Sequence, residues 1–562
     1  MKLAYRSVSR IDIQPDFATR SKGSRVTLTR YASYRAPLHD GQAVIVPRLA
    51  QAAELVQQNQ RRLGAWSYDF CGTSVASLRA MARDQLYRDA VRYSQRYRDV
   101  DARVRCPSRV IMAGHQPTLF HSGVWFKNFA LARISGLQDD RQPSGRCDAV
   151  AINLVIDNDV ARAASIAVPQ LDSASGRITR ATVAYDMPSG GVPYEQNWIR
   201  DRDLFCSFPD RTQAALARLV DEPLVQPLWR HASEAARRCG NVACAIAQAR
   251  HALEGDLGLQ TLELPLSVAC RGEPFAAFAL AIFNRAASFR RDYNESLAEY
   301  RRVHRIRGWA HPVPDLHAEA NYIEVPFWIY GNDAPQRQRA WVRCTFGKIE
   351  LTDRGGRTIT LPVGSGPTAL ADALSSNFKL RPRALITTMY ARLILADLFV
   401  HGIGGGKYDQ LGDQVMQRFF GLVPPRFMVV SATLTLPTSG AVAPAGPGSR
   451  EIRQQIRMTR FAPERFADAV PLPTSLCELK RRLLAERPQS GSKKAWHDAL
   501  ADVNRRLATP LEPLRQSLVG QLHEARLDEQ AAAILSSREH PFCLFPLQHL
   551  TSRYAELLER HA

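Results

Sequence analysis

The sequence predicts an α/β protein with a parallel-sheet core, inserted helical and β-rich subdomains, and a C-terminal helical coiled coil. Three observations lead to this prediction. Residues 110–156 follow a strand–loop–helix–strand pattern, residues 315–365 have strand-like patterns within a mainly helical chain, and leucines recur at helical spacing from Leu511 onward.

The parallel sheet is predicted from two apolar runs with a helix between them. Residues 110–114 form a short apolar run ending in glycine, which is typical of a buried strand. Residues 124–134 have helical apolar spacing, and residues 149–156 are a second apolar run. A strand, a helix and a strand in this order form the βαβ unit of a parallel sheet.

Changes in pattern and composition divide the chain into seven parts. They are an N-terminal segment that packs on the core (1–105), the first half of the core (106–210), a helical insertion (211–314), a β-rich insertion (315–370), the second half of the core (371–436), a linker rich in proline and glycine (437–449) and a helical tail (450–562). The coiled-coil seam of the tail is predicted at Leu511, Leu514, Leu518, Leu522 and Ala525.

Composition favours a folded protein with anionic ligands. The chain has 562 residues, of which 45% are hydrophobic, and a formal net charge of +20. This content of apolar residues excludes wholesale disorder. Because the basic residues are spread along the whole chain, we expect solvated faces and anion sites rather than a nucleic-acid groove.

Targeting and cysteine signals favour the cytoplasm. The N-terminus has no apolar stretch of signal-peptide length, and the most apolar window, 384–400, contains Arg392 and Asp397 and is too short for a membrane span. The ten cysteines are scattered, with no Cys-x-x-Cys pair. This pattern excludes a zinc ribbon and fits a reducing compartment, and we interpret Cys239 and Cys244 as helix residues.

The loop that joins the first predicted strand to the first helix is the first candidate site. Such a loop is the usual ligand position in an open α/β sheet, and free helix amides favour anions. We predict His115 and His121 as catalytic residues that donate to a phosphate or carboxylate. We predict Gly114, Gln116 and Lys127 as binding residues. The alternatives are that one histidine merely caps the helix and that Lys127 is exposed.

The second candidate site follows the second strand. Asp157 and Asp159 are predicted as catalytic, because strand alternation would aim both carboxylates the same way, and Asn153 is predicted to bind ligand. One carboxylate would orient an amine or hold Mg²⁺. The alternative is a turn-forming Asp-Asn-Asp sequence.

The third candidate is the glycine-rich run at 402–406, where backbone amides could approach an anion ahead of a helix. It matches neither a P-loop nor the dinucleotide-binding register, and a ligand-free tight turn is the alternative. The residues predicted to bind substrate or nucleotide here are Gly404, Gly405, Gly406, Lys407 and Asp409.

The fourth candidate is the segment 376–383. Arg381 precedes Pro382 and is therefore expected to be extended, so that its guanidinium could form a bidentate pair with a carboxylate or phosphate. Asn377 is predicted to bind ligand beside it. A surface arginine is the alternative.

Four stretches in this order carry a resemblance. Residues 113–120, Ala-Gly-His-Gln-Pro-Thr-Leu-Phe, resemble an Ala-Gly-Gln-Gln-Pro-Gly-Leu-Phe run, and residues 152–159 resemble a strand ending in Glu-Asp-His-Asp. Residues 376–382 resemble Ser-Pro-Asn-Val-Leu-Leu-Arg-Pro. The glycine run, with its helix and the Pro-Pro-Arg at 424–426, is similar to a Gly-Gly-Pro-Gly-Glu stretch and the segment after it. These are motifs of the bacillithiol-biosynthesis cysteine-adding enzymes, and the resemblance spans residues 106 to 435.

The resemblance implies a Rossmann-like core, inserted subdomains and a coiled coil that forms a homodimer. It implies a ligase that adds cysteine to glucosaminyl-malate through an amide bond, and a capacity to bind nucleotide. An ATP-driven step would bring ATP/ADP with Mg²⁺; we assign no resident metal ligands.

The sequence departs from the family at the presumed pocket. His115 stands where the family has glutamine, Ile156 and Asn158 replace a glutamate and a histidine, and residues 404–407 lack the family's proline and glutamate. Two alternatives therefore stay open. One is a nucleotide- or nucleotide-sugar-binding protein of the same fold, and the other is a basic nucleic-acid-binding protein.

Overall fold

The computed structural model describes residues 31–100, 107–136, 149–160, 162–438, 446–486, 488 and 493–562. Most of the predicted linker lies outside them. The strands in these residues are β1 (Gln42–Val46), β2 (Arg109–His115), β3 (Ala149–Val155), β4 (Ser165–Leu171), β5 (Ile178–Ala184), β6 (Leu262–Pro265), β7 (Ala318–Glu319), β8 (Tyr322–Tyr330), β9 (Gln338–Thr345), β10 (Lys348–Thr352), β11 (Thr358–Pro362), β12 (Lys379–Pro382), β13 (Leu398–His401) and β14 (Met428–Thr433).

The α-helices are α1 (Ala52–Gly64), α2 (Val75–Ser94), α3 (Ser122–Gly136), α4 (Arg202–Cys206), α5 (Phe208–Leu216), α6 (Val225–Cys239), α7 (Val242–Asp256), α8 (Leu266–Ala269), α9 (Glu273–Phe283), α10 (Ala286–Val303), α11 (Pro367–Ala373), α12 (Ala384–Tyr390), α13 (Ile403–Val415), α14 (Ser449–Phe461), α15 (Thr474–Ala485), α16 (Lys493–Ala508), α17 (Glu512–Leu535) and α18 (Leu547–Arg560). Among the described residues, none of these helices combines the length and apolarity that a membrane crossing requires.

A parallel sheet forms the core, as the sequence predicted. In this central sheet the strands lie in the order β1-β14-β13-β2-β3-β6, and only the edge strand β1 runs antiparallel to its neighbour. The parallel strands occur in the chain as β2, β3, β6, β13 and β14. Their order across the sheet, β6-β3-β2-β13-β14, is therefore 3-2-1-4-5.

Two core strands lie where the sequence patterns predicted helix. β6 falls inside the predicted helical insertion 211–314, and β13 ends an apolar run, 385–399, that we predicted as one helix. In that run, α12 continues through a π-helical turn at Ala391–Leu395 and only then becomes strand. A buried strand and a buried helix both present continuous apolar sequence, so periodicity does not separate them.

A second, antiparallel sheet corresponds to the predicted β-rich insertion. Its order is β11-β10-β9-β8-β12, with β7 paired to β8. The last member, β12, lies beyond residue 370 and so extends this sheet into the segment predicted as core. β4 and β5 form a separate hairpin.

The central sheet separates two apolar cores. Alternate residues of β2 face opposite sides: Val110 and Met112 join the core built with α2, α9 and α10, whereas Ile111 and Ala113 join the core built with α3, α6 and α7. Helices therefore cover both faces, as a parallel sheet requires.

The predicted coiled-coil seam packs within the chain. Leu511 and Leu518 are buried, and Leu514, Leu522 and Ala525 are partly buried, where α14 lies along α17. The tail does not end as a separate unit, because α18 returns to the core. There the buried Tyr554 hydroxyl donates to the Ser122 carbonyl oxygen over 2.6 Å, and its ring packs on Phe126.

Helix α3 approaches the sheet closely at one glycine. A β-carbon added to Gly123 would lie 2.1 Å from the carbonyl oxygen of Ala432 in β14. No side chain fits at that distance, so this contact fixes how near the amino end of α3 lies to the strands.

We expect Gly123→Ala to lower the free energy of unfolding by about 2 kcal/mol or more, because backbone must move to relieve the overlap. Gly64→Ala is the matched control, since the exposed helical Gly64 has open space around its α-carbon. We expect a change of less than about 1 kcal/mol there. Urea unfolding of both variants checks this, and equal stabilities would contradict the close packing.

Candidate functional site

The carboxyl ends of β2 and β13 lie side by side at one edge of the central sheet. Val400 pairs with Ala113, so the next residues, His401 and Gly114, are level. The helix that follows β2 packs on one face of the sheet, and the helix that follows β13 packs on the other. In open α/β sheets the crevice between two such strands is the usual ligand position.

The glycine run is the first turn of helix α13 rather than a loop. The helix begins at Ile403, after Gly402 in an extended conformation without a side-chain cap. The first turn of a helix leaves its amides without intrahelical acceptors. Gly406 already donates to the Gly402 carbonyl, and the Ile403, Gly404 and Gly405 amides have no hydrogen-bond acceptor among the described residues, so they are available to an anion.

The glycines of this turn serve two different purposes. A β-carbon on Gly405 would lie 2.7 Å from His401 Nδ1, and one on Gly406 would lie 2.4 Å from Val429 Cγ2, so these two glycines let the helix sit on the strands. No atom of the described residues lies within 4 Å of the corresponding position at Gly404. Packing therefore explains Gly405 and Gly406, while Gly404 keeps the helix end open. The exposed Lys407 follows in the same turn.

Asp409, predicted to bind ligand, is instead a buried structural anchor. Its carboxylate accepts hydrogen bonds from Thr388 (2.5 Å), Arg392 (2.6 Å) and His401 (2.9 Å). Arg392 holds the pKa of this carboxyl well below its usual range despite complete burial. Burial lowers the pKa of His401, so the neutral ring donates through Nε2.

Lys127 is buried behind the end of β2, not exposed. Its ammonium nitrogen donates to the Gly114 carbonyl oxygen over 2.6 Å, and its side chain joins α3 to the strand end. Burial, with Arg250 nearby, lowers the pKa of Lys127 to about 7. The lysine therefore loses its proton near neutral pH and fixes the position of Gly114.

His115 lies at the edge but is used internally. Its ring packs on Phe120 with centroids 4.8 Å apart, Nδ1 donates to the Gln116 carbonyl over 3.3 Å, and Nε2 accepts from Asn128 over 3.5 Å. Burial lowers the pKa of His115 well below 6.5. The imidazole is neutral and both nitrogens are occupied, so it does not offer the donor that we predicted.

His121 caps helix α3, which was the alternative interpretation of this pair. Its Nδ1 accepts from the Gly123 amide over 3.1 Å. The residue also forms a β-bridge with Pro541, and Glu539 and Arg538 lie near enough to affect its pKa. The amino end of α3 is therefore closed, and of the two helix ends at this crevice only that of α13 stays open.

Asp157 and Asp159 point in opposite directions, contrary to the prediction from strand alternation. β3 ends at Val155, so the alternation does not reach them. Asp157 turns toward β6 and accepts from both the amide (2.9 Å) and the hydroxyl of Ser267. Burial and the neighbouring Glu195 raise the pKa of Asp157 to about 7. Asp157 thus anchors α8 rather than facing the crevice.

Asp159 lies beyond the end of β3 and is held by residues from two other segments. The exposed Gln116 side chain donates to it over 2.6 Å, and Arg337 donates over 3.2 Å. Arg337 also donates to the Asn158 carbonyl and lies over the Trp328 ring. Burial raises the pKa of Tyr408 in α13 to about 12. The negative charge of Asp159 contributes to this rise.

Sequence reasoning missed Arg337 and Glu195. Arg337 is 178 positions from Asp159, and Glu195 is 186 positions from Arg381, so no local pattern connects them. Arg381 forms the predicted bidentate pair, but its partner is the Glu195 carboxylate, at distances of 2.9 and 3.1 Å. The buried Arg381 is therefore neutralised within the chain and is not free for a ligand.

Neither Asn377 nor Asn153 lies at the edge of the central sheet where β2 and β13 end. Asn377 sits in an exposed turn before β12, where its carbonyl accepts from Arg357 over 2.8 Å. Asn153 is fully buried in β3, opposite Glu263 of β6, and neither atom of its side-chain amide has a hydrogen-bond partner among the described residues. It borders a buried network in which Arg250 pairs with Glu254 and Glu263.

We call the open amino end of α13 (residues 402–405), Gln116, Asp159 and Arg337 the edge site. It combines helix amides, a guanidinium and one carboxylate. The amides suit an anion, and the carboxylate, which the guanidinium pairs with, suits an amine or a hydroxyl.

The chemistry of the edge site fits a phosphate better than a preformed metal cage. Within the described ranges, no three or more histidine, cysteine or acidic side chains are grouped to hold a metal ion. Nucleotide-bound Mg²⁺ needs only one or two carboxylates besides the phosphates, and Asp159 is the carboxylate in position. Comparison with known proteins adds no relative: no family model matches the chain, and no curated protein does.

Lys127→Met should change how stability depends on pH. The unfolded chain keeps the lysine proton up to a pKa of 10.5, whereas the folded protein releases it at about 7. Between pH 7 and pH 10.5 the unfolded chain therefore binds more protons than the folded protein. Over this range the free energy of unfolding of the wild type, relative to that of the variant, rises by about 1.4 kcal/mol per pH unit. Below pH 7 the difference should stay constant.

Urea unfolding at pH 6, 7, 8 and 9 measures this difference. Lys407→Met, at an exposed position, is the control and should change stability by less than about 0.5 kcal/mol at each pH. A pH-independent difference between wild type and Lys127→Met would contradict a buried lysine with a lowered pKa.

Proposed function

We propose that the protein is a cytoplasmic ligase that adds cysteine or a similar amine to a glucosaminyl-malate-like substrate at the edge site, forming an amide bond between an activated acid and an amine. The observation that carries the proposal is the open amino end of α13, together with Asp159, which lies near enough to α13 to affect the pKa of Tyr408. The amides bind the anionic end of the acid or its leaving group, and the carboxylate receives the amine.

The topology supports this placement. A 3-2-1-4-5 order of parallel strands is that of Rossmann-like sheets, in which ligands bind where the strand order reverses. The reversal here lies between β2 and β13, the two strands that end at the edge site. The resemblance of residues 106–435 to the cysteine-adding enzymes points to the same fold and reaction class.

Each residue of the edge site has a role that follows from its contacts. The Ile403, Gly404 and Gly405 amides stabilise negative charge on the acid or on its leaving group. Asp159 orients the amine and takes up its proton as the nitrogen attacks the acyl carbon. Gln116 and Arg337 hold the carboxylate in place.

A nucleotide fits the same residues. In that case the α13 amides would hold its phosphates, and Asp159 would face an accompanying Mg²⁺ instead of receiving the amine. When bound, ATP would supply the phosphoryl group that activates the acid. Lys127 contributes indirectly, because it fixes Gly114 and thereby the start of the loop that carries Gln116.

The predicted homodimer belongs to the same proposal. Helix α14 packs along α17 within the chain, so a partner would have to use an exposed part of α17, such as that at Val519, which is 51% exposed. Dimerisation through the tail is testable by sedimentation of a Val519→Glu variant.

The direct test is consumption of cysteine by the purified protein in the presence of glucosaminyl-malate and ATP. Amide product, identified by mass spectrometry, is the expected result. Nucleotide binding without cysteine consumption would favour the nucleotide-binding alternative. Salt-sensitive binding of nucleic acid alone would favour the nucleic-acid-binding alternative.

Gly404→Glu should raise KM for the acid roughly five- to tenfold and leave the fold intact. The added carboxylate lies beside the bound anion, where a like charge costs on the order of 1 kcal/mol. Nothing within 4 Å obstructs the new side chain. Gly404→Gln is the matched control of nearly equal size. Equal KM values for the two variants would show that no anion binds at this helix end.

A further inference from the structure

The connection between α6 and α7 brings two cysteines together. Cys239 is the last residue of α6, Gly240 follows in a left-handed conformation with φ of 64°, and Cys244 lies in the first turn of α7. The two thiols lie near enough for each to shift the pKa of the other. This tight turn, rather than a Cys-x-x-Cys spacing, makes them neighbours.

Asn241 fixes both cysteines. Its backbone carbonyl accepts from the Cys239 thiol over 3.5 Å, and its side-chain oxygen accepts from the Cys244 amide over 2.9 Å. Its side-chain nitrogen donates to the Tyr194 carbonyl over 3.0 Å, and the residue is buried. The pair is therefore held by a packed residue and not by chance contact of mobile side chains.

The two thiols differ in their surroundings. The neighbouring Cys244 thiol lowers the pKa of Cys239 to about 7, and the Asn241 backbone and the Arg238 charge act in the same direction. The proximity of Cys239 and burial raise the pKa of Cys244. Cys244 also accepts from Gln248 over 3.2 Å and lies 3.8 Å from the Tyr93 hydroxyl.

The groups around the pair leave Cys239 as the reactive thiol. The charged and titratable neighbours are Arg238 on α6, Tyr93 on α2 and Glu263 on β6. Of these, the cation lies beside Cys239, whereas Tyr93 and Glu263 act on Cys244. Low-pKa thiols that solvent can reach are the ones that react with oxidants, and both cysteines here are partly exposed.

We propose that Cys239 and Cys244 form a two-electron redox site that hydrogen peroxide oxidises to an intramolecular disulfide. The Cys239 thiolate attacks a peroxide oxygen, so that an S–O bond forms, the O–O bond breaks and hydroxide leaves. The Cys244 thiol then attacks the sulfenic sulfur, an S–S bond forms and water leaves. Two thiols are oxidised and one peroxide is reduced to two waters.

This site is independent of the proposed ligase activity. It lies on the opposite end of α7 from Glu254, which binds Asn128 beneath the edge of β2. Its readout is the state of the sulfur atoms, so the test does not depend on any substrate.

The test is thiol mapping of the full chain after treatment with hydrogen peroxide. Trypsin cuts after Arg238 and Arg250, so both cysteines fall on one peptide, residues 239–250. We expect that peptide to become two hydrogen atoms lighter, to resist alkylation and to recover both properties on reduction. Unchanged alkylation of both cysteines would overturn the proposal.

Single variants identify the attacking thiol. In Cys244→Ser, peroxide should leave a sulfenic acid on Cys239 that dimedone traps. In Cys239→Ser, Cys244 should remain alkylatable. Cys206→Ser, at an exposed cysteine on another helix, is the control and should form the 239–244 disulfide like the wild type. Dimedone labelling of Cys244, or of neither residue, would contradict the assignment.

The rate of alkylation of Cys239 adds a second measurement. With a pKa of about 7, its thiolate fraction and therefore its rate should rise about tenfold between pH 6 and pH 8 and then level off. A rate still rising steeply above pH 9 would show an ordinary thiol and overturn the reactive role of Cys239.

Discussion

The carboxylate of Asp409 is the interaction on which the geometry of the edge site depends. It is completely buried, and its partners come from three consecutive elements: Thr388 on α12, Arg392 in the π-helical turn and His401 on β13. Removing one partner of such a group leaves a buried charge unpaired, at a cost of about 3–5 kcal/mol. The anchor therefore fixes α13 against β13, and with it the direction of the amides at residues 403–405.

The sequence predicted the elements that short-range patterns define. The strand–helix–strand unit and the β-rich insertion lie where expected. β6, with four residues, and β13, inside a longer apolar run, were hidden because burial on both faces removes the alternation that marks a strand. Their pairing with β3 and β2 is a long-range property that no local window contains.

At the candidate site, residue types were more predictable than partners. Arg381 does form a bidentate pair with a carboxylate, but that carboxylate is Glu195 of the same chain. Four other predicted site residues likewise form hydrogen bonds within the protein: Lys127, His115, Asp157 and Asp409. Polar residues at the end of a buried strand have two uses, holding ligands and holding neighbouring loops, and only the three-dimensional neighbours distinguish them. Gln116 and Asp159 follow the ends of β2 and β3, and their role in a site stays a prediction, while Arg337 had no signal in the sequence.

The return of α18 to the core has a consequence for synthesis of the chain. Tyr554 and Ser122 are 432 positions apart, and the Tyr554 ring covers the apolar face of α3. At roughly 5–20 residues per second, that face waits about 20–90 s on the ribosome before its cover is translated. During this interval Trp125, Phe126 and Phe129 lack the ring contacts that Tyr554 makes with them in the folded chain.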